Sequence, residues 1–179
     1  QHPSQLRHRI EHVQIIHPDD IPRFAQLDVI ASMQPVHILA DWQVADLVWG
    51  ERAKWSYNSR VQIDQGVVVA FGSDCPVEPL DPLRGIYAAV TRRQPGVFPD
   101  PEGWYPEWKL TTEEALRGYT FGPAYTSGRE DRLGALKAGY LADLVLLDRD
   151  LMRAEPDEIL DIAVLGTMVG GQWRFGGAG

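Results

Sequence analysis

The sequence predicts an α/β fold in which short parallel strands alternate with helices, followed by an antiparallel β tail. Three observations support this prediction. The run Val67–Phe71 is apolar and rich in β-branched residues, as in parallel strands that are covered on both faces. Patterns typical of strands and helices alternate as far as Phe121, which indicates βα units. From Gly134 onward, short apolar runs separated by turn residues indicate antiparallel strands.

Three strand-then-helix units account for the first part of the chain. The predicted strands are Arg9–Gln14, Val29–Gln34 and Val67–Phe71. The predicted helices are Ile21–Leu27, Asn58–Gln65 and Pro82–Arg92. Pro18 and the two acidic residues after it suit the start of the first helix, because proline fixes φ and negative charge interacts favourably with the helix dipole. Residues 36–57 are predicted to be an irregular polar and aromatic segment.

The second part of the chain begins with residues 94–110, whose many prolines and glycines predict a loop or lid. Thr111 as N-cap and Glu114 form a capping box that predicts a helix running to about Phe121. The tail strands are predicted at Ala142–Asp148, Ile162–Val169 and Gln172–Phe175, with a tight turn at Gly170–Gly171. We therefore predict two domains, 1–130 and 131–179.

The composition excludes two classes of partner. The chain has 17 Lys and Arg against 25 Asp and Glu, and it has no basic patch interleaved with aromatic residues, so we expect no nucleic-acid partner. No apolar run approaches the ~20 residues that a membrane span needs, so we expect no membrane. The single cysteine, Cys75, favours a reducing, cytoplasmic compartment. Because the chain begins at Gln1 without a methionine, the lack of a visible signal peptide decides nothing.

Asp74 is the first candidate functional residue. It follows Gly72 and Ser73 at the carboxyl end of the strand Val67–Phe71, where α/β folds place their chemistry. The alternative is that Asp74 caps the amino end of the next helix, since aspartate is a favoured N-cap. The segment alone supports both interpretations equally.

His12 is the second candidate, at the end of the first predicted strand. Strand alternation puts it on the same face as Ile10. A lone histidine in a strand is more often an ordinary core or surface residue, so the prediction rests on its pairing with Asp74. The carboxyl ends of parallel strands meet at one rim, and an imidazole beside a carboxylate suits Zn²⁺. Two ligands are fewer than the three that a catalytic zinc usually takes.

Five motifs follow one another along the chain. They are RIEH at 9–12, QPxH at 34–37, GSDxPV at 72–77, DPLxGIYAAVTR at 81–92 and GxLxxGxxADLVxLD at 134–148. Together they resemble the metal-dependent amidohydrolase superfamily, and within it the branch that contains the N-substituted formamide deformylases. The resemblance covers essentially the whole chain.

The resemblance implies a (β/α)₈ barrel, of which residues 1–130 hold about strands 6 to 8, followed at 131–179 by β-strands of a small β-sandwich. The superfamily's strand-1 His-x-His, its strand-4 bridging residue and its strand-5 histidine have no counterpart here. A full barrel takes roughly 250 residues. We therefore expect a C-terminal fragment of a longer hydrolase.

The resemblance also implies roles for the two candidates. His12 matches the metal ligand at the end of barrel strand 6, and Asp74 matches the strand-8 aspartate that touches the metal and moves a proton. The implied cofactor is a divalent metal, zinc by expectation, bound in the intact parent. His2 and His8 precede the first strand, and we do not expect them to replace the missing ligands.

His37 and Arg60 fall where the superfamily's loops approach the substrate, and Trp42 lies in a predicted loop or flanking helix on the same side; all three have a plainer explanation. His37 and Arg60 are equally explained as solvated loop residues, Arg60 more so. Trp42 belongs to a group of tryptophans in predicted loops or their flanking helices. Such a group lines an apolar substrate pocket or simply packs a layer of loops onto the sheet.

Two functions of different classes follow. The first is a metal-dependent hydrolase of C–N bonds in a small-molecule amide, formamide or cyclic amide, inactive as the isolated fragment. The second is a non-catalytic module that folds by association with a second copy or with a missing N-terminal half. Three parallel strands leave two open edges, and unpaired strand edges invite pairing.

Overall fold

The computed structural model of the protein describes residues 6–177, which contain six strands and six α-helices. The strands are β1 Arg9–Glu11, β2 Ile30–Met33, β3 Val69–Phe71, β4 Leu144–Leu147, β5 Val164–Val169 and β6 Gln172–Gly176. The helices are α1 Ile21–Gln26, α2 Ile38–Trp49, α3 Ser59–Asp64, α4 Pro82–Thr91, α5 Thr112–Tyr119 and α6 Phe121–Thr126.

The first three strands form a parallel sheet in the order β1-β2-β3. Ala31 of β2 pairs with Ile10 on one side and with Val69 on the other. β3 is buried throughout and β2 almost throughout, whereas every residue of β1 is exposed. The prediction of parallel βα units is confirmed, and the sheet brings the carboxyl ends of its strands to one edge.

The predicted irregular segment at 36–57 was wrong, because α2 occupies most of it. This helix buries Ile38, Leu39 and Ala45 but exposes Val44 and Leu47. Its apolar residues therefore surround the helix instead of forming one stripe, and the sequence shows no clear helical period.

The first predicted strand was too long, because β1 ends at Glu11. His12 and Val13 both have positive φ values, 69° and 42°, which L-residues rarely adopt and which end the extended conformation. Strand alternation therefore does not reach His12, and the expectation that it shares a face with Ile10 fails.

The helices around β3 approach it closely because they carry glycines at the contacts. A Cβ on Gly118 of α5 would lie 2.3 Å from the Phe71 ring, and one on Gly122 of α6 would lie 2.2 Å from the Val69 carbonyl oxygen. A Cβ on Gly85 of α4 would lie 1.7 Å from the hydroxyl of Tyr119. No side chain larger than hydrogen fits at these three places without a shift.

The hydroxyl of Tyr119 uses the space beside Gly85 to donate a hydrogen bond to the Gly72 carbonyl at 3.4 Å. Burial raises the pKa of Tyr119, so its hydroxyl stays a donor. Gly72 is the first residue after β3 and lies two residues before Asp74. Helix α5 is thus connected directly to the end of this strand.

The remaining strands form an antiparallel sheet in the order β4-β5-β6, with the predicted turn at Gly170–Gly171. The prediction of antiparallel tail strands is confirmed. The segment between β4 and β5 also contributes Leu151, Ile159 and Ile162 to the main core around α4. The domain boundary at 131 stays a prediction. No described helix has the length and apolarity that crossing a bilayer requires.

Candidate metal centre

His12, His37 and Asp74 come together at the carboxyl edge of the parallel sheet. Each offers one ligand atom, and these three atoms lie within 4.8 Å of one another. Among residues 6–177, no other group of three histidine, cysteine or acidic side chains has this geometry. His8 stays outside the group, and His2 lies outside the described residues.

Each residue of this group, which we call the His-His-Asp cluster, follows a different strand. His12 follows β1, His37 ends a short 3₁₀ turn at Pro35–His37 after β2, and Asp74 follows β3. His12 and Asp74 have left-handed backbone conformations, with φ values of 69° and 57°. The strands therefore bring the three residues to one edge of the sheet, and local backbone turns direct their side chains towards one another.

The polar atoms of the cluster lie close together but are farther apart than in a hydrogen bond. The Nε2 of His37 lies 3.6 Å from Oδ2 of Asp74, and the Nδ1 of His12 lies 4.0 Å from the same oxygen. The two imidazole rings are stacked, with centroids 6.5 Å apart. Two imidazoles and a carboxylate are a donor set that suits a borderline cation such as Zn²⁺.

Two further side chains lie beside the cluster, and neither was named as a candidate from the sequence. Oε1 of Gln34 lies 3.0 Å from Nδ1 of His12, and Oε1 of Glu78 lies 4.0 Å from Nδ1 of His37. A hydrogen-bonded partner such as Gln34 fixes the ring orientation of a histidine, whereas the Glu78 contact is too long for a hydrogen bond. Gln34 belongs to the QPxH motif, which gave a signal, whereas nothing in the sequence set Glu78 apart.

The alternative interpretation of Asp74 as a helix cap is wrong. Asp81 caps α4, and its Oδ1 accepts a hydrogen bond from the backbone N–H of Leu83 at 2.9 Å. The side chain of Asp74 is 38% exposed and that of His12 is 51% exposed, so a small molecule can reach both. His37 is 12% exposed and forms the inner wall of the cluster.

Arg60 and Trp42 are not brought into the His-His-Asp cluster. Arg60 donates to both carboxylate oxygens of Glu114 and, at 3.1 Å, to Oδ1 of Asp64, which ties α3 to the start of α5. Trp42 donates to Oε1 of Gln94 at 3.1 Å and packs edge-on against Phe98. Their predicted roles in substrate binding stay predictions.

Comparison with known proteins identifies the family. The model of the amidohydrolase family matches residues 1–175. The chain belongs to this family. The resemblance inferred from the five motifs is confirmed. Relatives include the putative amidohydrolase YtcJ of Bacillus subtilis, 32% identical over 95% of the chain, and the N-substituted formamide deformylase of Arthrobacter pascens, 31% identical over 93%. The Arabidopsis thaliana protein LONG AFTER FAR-RED 3 is 36% identical over 94%.

Two solved structures have folds similar to that of this amidohydrolase family member. An uncharacterized metal-dependent hydrolase from Pyrococcus horikoshii has a TM-score of 0.73 and 32% identity over 83% of the chain. Atrazine chlorohydrolase TrzN from Arthrobacter aurescens, solved with zinc, has a TM-score of 0.64 at 24% identity and so supports the fold alone. The chain spans 29%, 32% and 30% of the three curated relatives' length, and 30% and 36% of these two structures.

Proposed function

We propose that the chain is part of a metal-dependent hydrolase that cleaves C–N bonds in small amides, formamides or cyclic amides. The convergence of His12 and Asp74, with His37 beside them, carries the proposal. The relatives named as a formamide deformylase and as a metal-dependent hydrolase support it. Because the chain spans about a third of their length, the activity is proposed for an intact parent, and the isolated chain is expected to be inactive.

In this proposal β1, β2 and β3 take the places of strands 6, 7 and 8 of a (β/α)₈ barrel. The parallel order β1-β2-β3 and the clustering of side chains at its carboxyl edge support this assignment, since barrel enzymes build their active sites there. Strands β4–β6 would belong to a small β-sandwich that follows the barrel, and their antiparallel pairing supports that assignment.

His12 and Asp74 would hold a divalent ion, with zinc the best match to their donor atoms. When bound, such an ion supplies a Lewis acid and a water whose pKa falls towards ~7. Asp74 would accept the proton of the attacking water at a carboxylate oxygen and then deliver it to the leaving nitrogen. His37 would face the substrate from the inner wall, and Trp42 and Arg60 are proposed as more distant substrate contacts.

Replacement of Asp74 tests this mechanism. Asp74→Asn keeps the shape of the side chain but cannot accept the proton, so kcat of the parent enzyme should fall by at least about 100-fold, the usual contribution of general acid–base catalysis. The measurement is hydrolysis of a panel of N-substituted formamides, amides and cyclic amides with zinc present.

Asp19→Asn is the matched control, because the Asp19 side chain is 89% exposed and lies outside the His-His-Asp cluster. It should leave kcat unchanged. Undiminished turnover by Asp74→Asn would refute the proposed role of this carboxylate.

A second candidate function is a non-catalytic module that associates through its open surfaces. The exposed strand β1 carries Ile10, 49% exposed, beside an apolar groove that Val13, Phe24 and Leu27 also line. The open outer edge of β1, next to such a groove, favours association with a second copy or with a missing half of the barrel. Sedimentation of the isolated chain at several concentrations tests this, and a clean, well-folded monomer would contradict it.

A further inference from the structure

We propose that Tyr57 is a positioning residue that fixes the positions of His12 and His37 relative to each other. It does so by linking the chain segment after β1 to helix α2. The inference rests on the proposed function, since it concerns the side chains assigned to the metal centre and its inner wall. Tyr57 lies in the loop before α3 and is 6% exposed.

The hydroxyl of Tyr57 makes the bridge. It accepts a hydrogen bond from Nε2 of Gln14 at 2.6 Å and donates one to Oδ2 of Asp41 at 2.7 Å. Gln14 comes two residues after His12, and Asp41 comes one helical turn after His37. Burial, with the Asp41 carboxylate adding to it, raises the pKa of Tyr57, so the hydroxyl keeps the proton that it donates.

The backbone of Tyr57 is held on both sides as well. Its N–H donates to the carbonyl of Gln14 at 2.9 Å, and Ile15 and Ser56 form an isolated β-bridge alongside. Its carbonyl accepts a hydrogen bond from Nη1 of the fully buried Arg92 at 2.8 Å. Tyr57 is therefore also attached to the residue that follows α4, and these backbone hydrogen bonds fix its position beside Gln14.

The ring of Tyr57 completes the contact with the cluster. It meets the His37 ring edge-on, with centroids 6.5 Å apart and an interplanar angle of 71°. Trp49 and Trp104 pack around the same ring, each with its centroid 6.3 Å away. Enclosed in this way, the Tyr57 ring limits the rotation of the His37 imidazole.

Positive φ values occur at residues of the bridge and of the cluster, and also at Val13, Asp28 and Tyr105. Tyr57 and Arg92 have positive φ values of 48° and 49°, as do His12 and Asp74 in the cluster. Such conformations persist only where the surroundings over-determine them, and they are frequent at functional sites. Tyr57 thus bears strain in order to place its hydroxyl between Gln14 and Asp41.

The test is Tyr57→Phe, followed by NMR of the histidine ring resonances without any metal. Removal of the hydroxyl should shift the signals of His12 and His37 and leave those of His8 and His17 in place. Tyr140→Phe is the matched control, because it also removes a hydroxyl whose hydrogen bond, to the Glu130 carbonyl, is 2.7 Å long. Unchanged signals of His12 and His37 in Tyr57→Phe would overturn the inference.

Two variants of Asp41 distinguish loss of the hydrogen bond to Tyr57 from a general loss of structure. Asp41→Ala removes the acceptor and should reproduce the shifts, whereas Asp41→Asn keeps a carbonyl oxygen and should largely restore the wild-type signals. Identical signals in the two variants would contradict the bridge.

A titration with ZnCl₂ on the same samples separates this inference from the proposed function. If the chain binds zinc, Tyr57→Phe should weaken that binding by a few-fold, less than the ~10-fold or more that loss of a direct partner of a metal ligand causes, because the hydroxyl bonds Gln14 and Asp41 and not the ligands themselves. An unchanged affinity would contradict the inference. Absence of zinc binding by the wild-type chain is expected if the rest of the parent supplies further ligands. In that case the histidine signals decide the positioning role, and Asp74→Asn in the parent enzyme decides the proposed function.

Discussion

In the parallel sheet β3 is buried completely and β2 almost completely, whereas in the antiparallel sheet β6 is exposed throughout and β5 buries only Gly166. Both sheets have three strands, and β2 and β3 of one are mostly apolar in sequence, as are β4 and β5 of the other. The difference lies in what covers them. Helices α5 and α6 pack closely on β3, but the antiparallel sheet leaves side chains such as Trp173 and Phe175 39% and 60% exposed.

Positive φ values at residues other than glycine are confined to the part of the described chain that contains the parallel sheet. In the parallel part His12, Tyr57 and Asp74 hold positive φ values, whereas in the described tail from residue 131 only glycines do. Tyr57 is buried, but the side chains of His12 and Asp74 are 51% and 38% exposed, so burial alone does not account for the difference. The comparison teaches that the placement of chemical groups depends on the turns that lead from each parallel strand into the following helix, and the antiparallel sheet has no such turns in its described part.

The largest effect is expected where the segment after β4 enters the main core. Ile159 is fully buried against α4, so Ile159→Ala should lower the free energy of unfolding by about 2–5 kcal/mol. Val145 of β4 is 55% exposed, so Val145→Ala should change it by less than about 0.5 kcal/mol. Urea denaturation of both variants measures the two values.

Equal losses in these two variants would break the comparison between the sheets. A small loss for Ile159→Ala would mean that the segment between β4 and β5 is not part of the main core.

A smaller effect is expected from added methyl groups at the two sheets. Gly118→Ala places a Cβ 2.3 Å from the ring of Phe71, which is buried and cannot move aside, so we expect a loss of about 1–3 kcal/mol. Gly166→Ala places a Cβ 2.8 Å from both the backbone N of Gly177 and the ring of the partly exposed Trp173, which is a longer contact than at Gly118, so we expect a smaller loss, of about 1 kcal/mol. Thermal unfolding followed by circular dichroism compares them.

If Gly166→Ala proved the more damaging of the two, the tail sheet would be packed more rigidly than its exposure indicates.

The smallest effect is expected at Glu114, whose carboxylate pairs with Arg60 and so joins α5 to α3. Hydrogen bonds from Arg60, and then from Thr111, lower the pKa of Glu114 from 4.5 to about 2. Glu114→Gln removes the negative charge of a partly exposed pair, so we expect a loss of about 1–2 kcal/mol at pH 7. Glu158→Gln is the control, because that carboxylate accepts the N–H of Glu155 at 3.1 Å and should cost less than about 0.5 kcal/mol.

The pH dependence of the Glu114 variant has a definite sign. Because the pKa is lower in the folded state, the ionised carboxylate stabilises the fold fully above about pH 4.5, and this stabilisation is lost as the pH falls towards about 2. The difference in unfolding free energy between wild type and Glu114→Gln should therefore shrink over that interval. A difference that stays constant from pH 7 to pH 2 would contradict the assigned ion pair.

The sequence predicted those parts of the fold that depend on local chemistry. Thr111 and Glu114 form the expected capping box, and Gly170–Gly171 form the expected turn. Helix α2 escaped prediction because its exposed apolar residues blur the helical period, and the short β1 escaped because positive φ at His12 cannot be inferred from its residue type. Tertiary packing decides both features.

The candidate site was partly predictable for the same reason. The meeting of His12 and Asp74 follows from parallel strands whose carboxyl ends share an edge. Gln34 had a signal in the QPxH motif, but the contacts of Glu78 and Tyr57 depend on how separate loops fold over that edge, and no spacing in the sequence encodes them.

The bare backbone at Gly85 has a consequence for how this protein can change. It lets α4 and α5 lie close enough for Tyr119 to grip the carbonyl of Gly72. The location of the carboxylate two residues further on thus depends on the gap between two outer helices. Substitutions that widen this gap, whether natural or engineered, would move the Asp74 carboxylate and so suit a substrate of different shape. Every residue that contacts the substrate would stay the same.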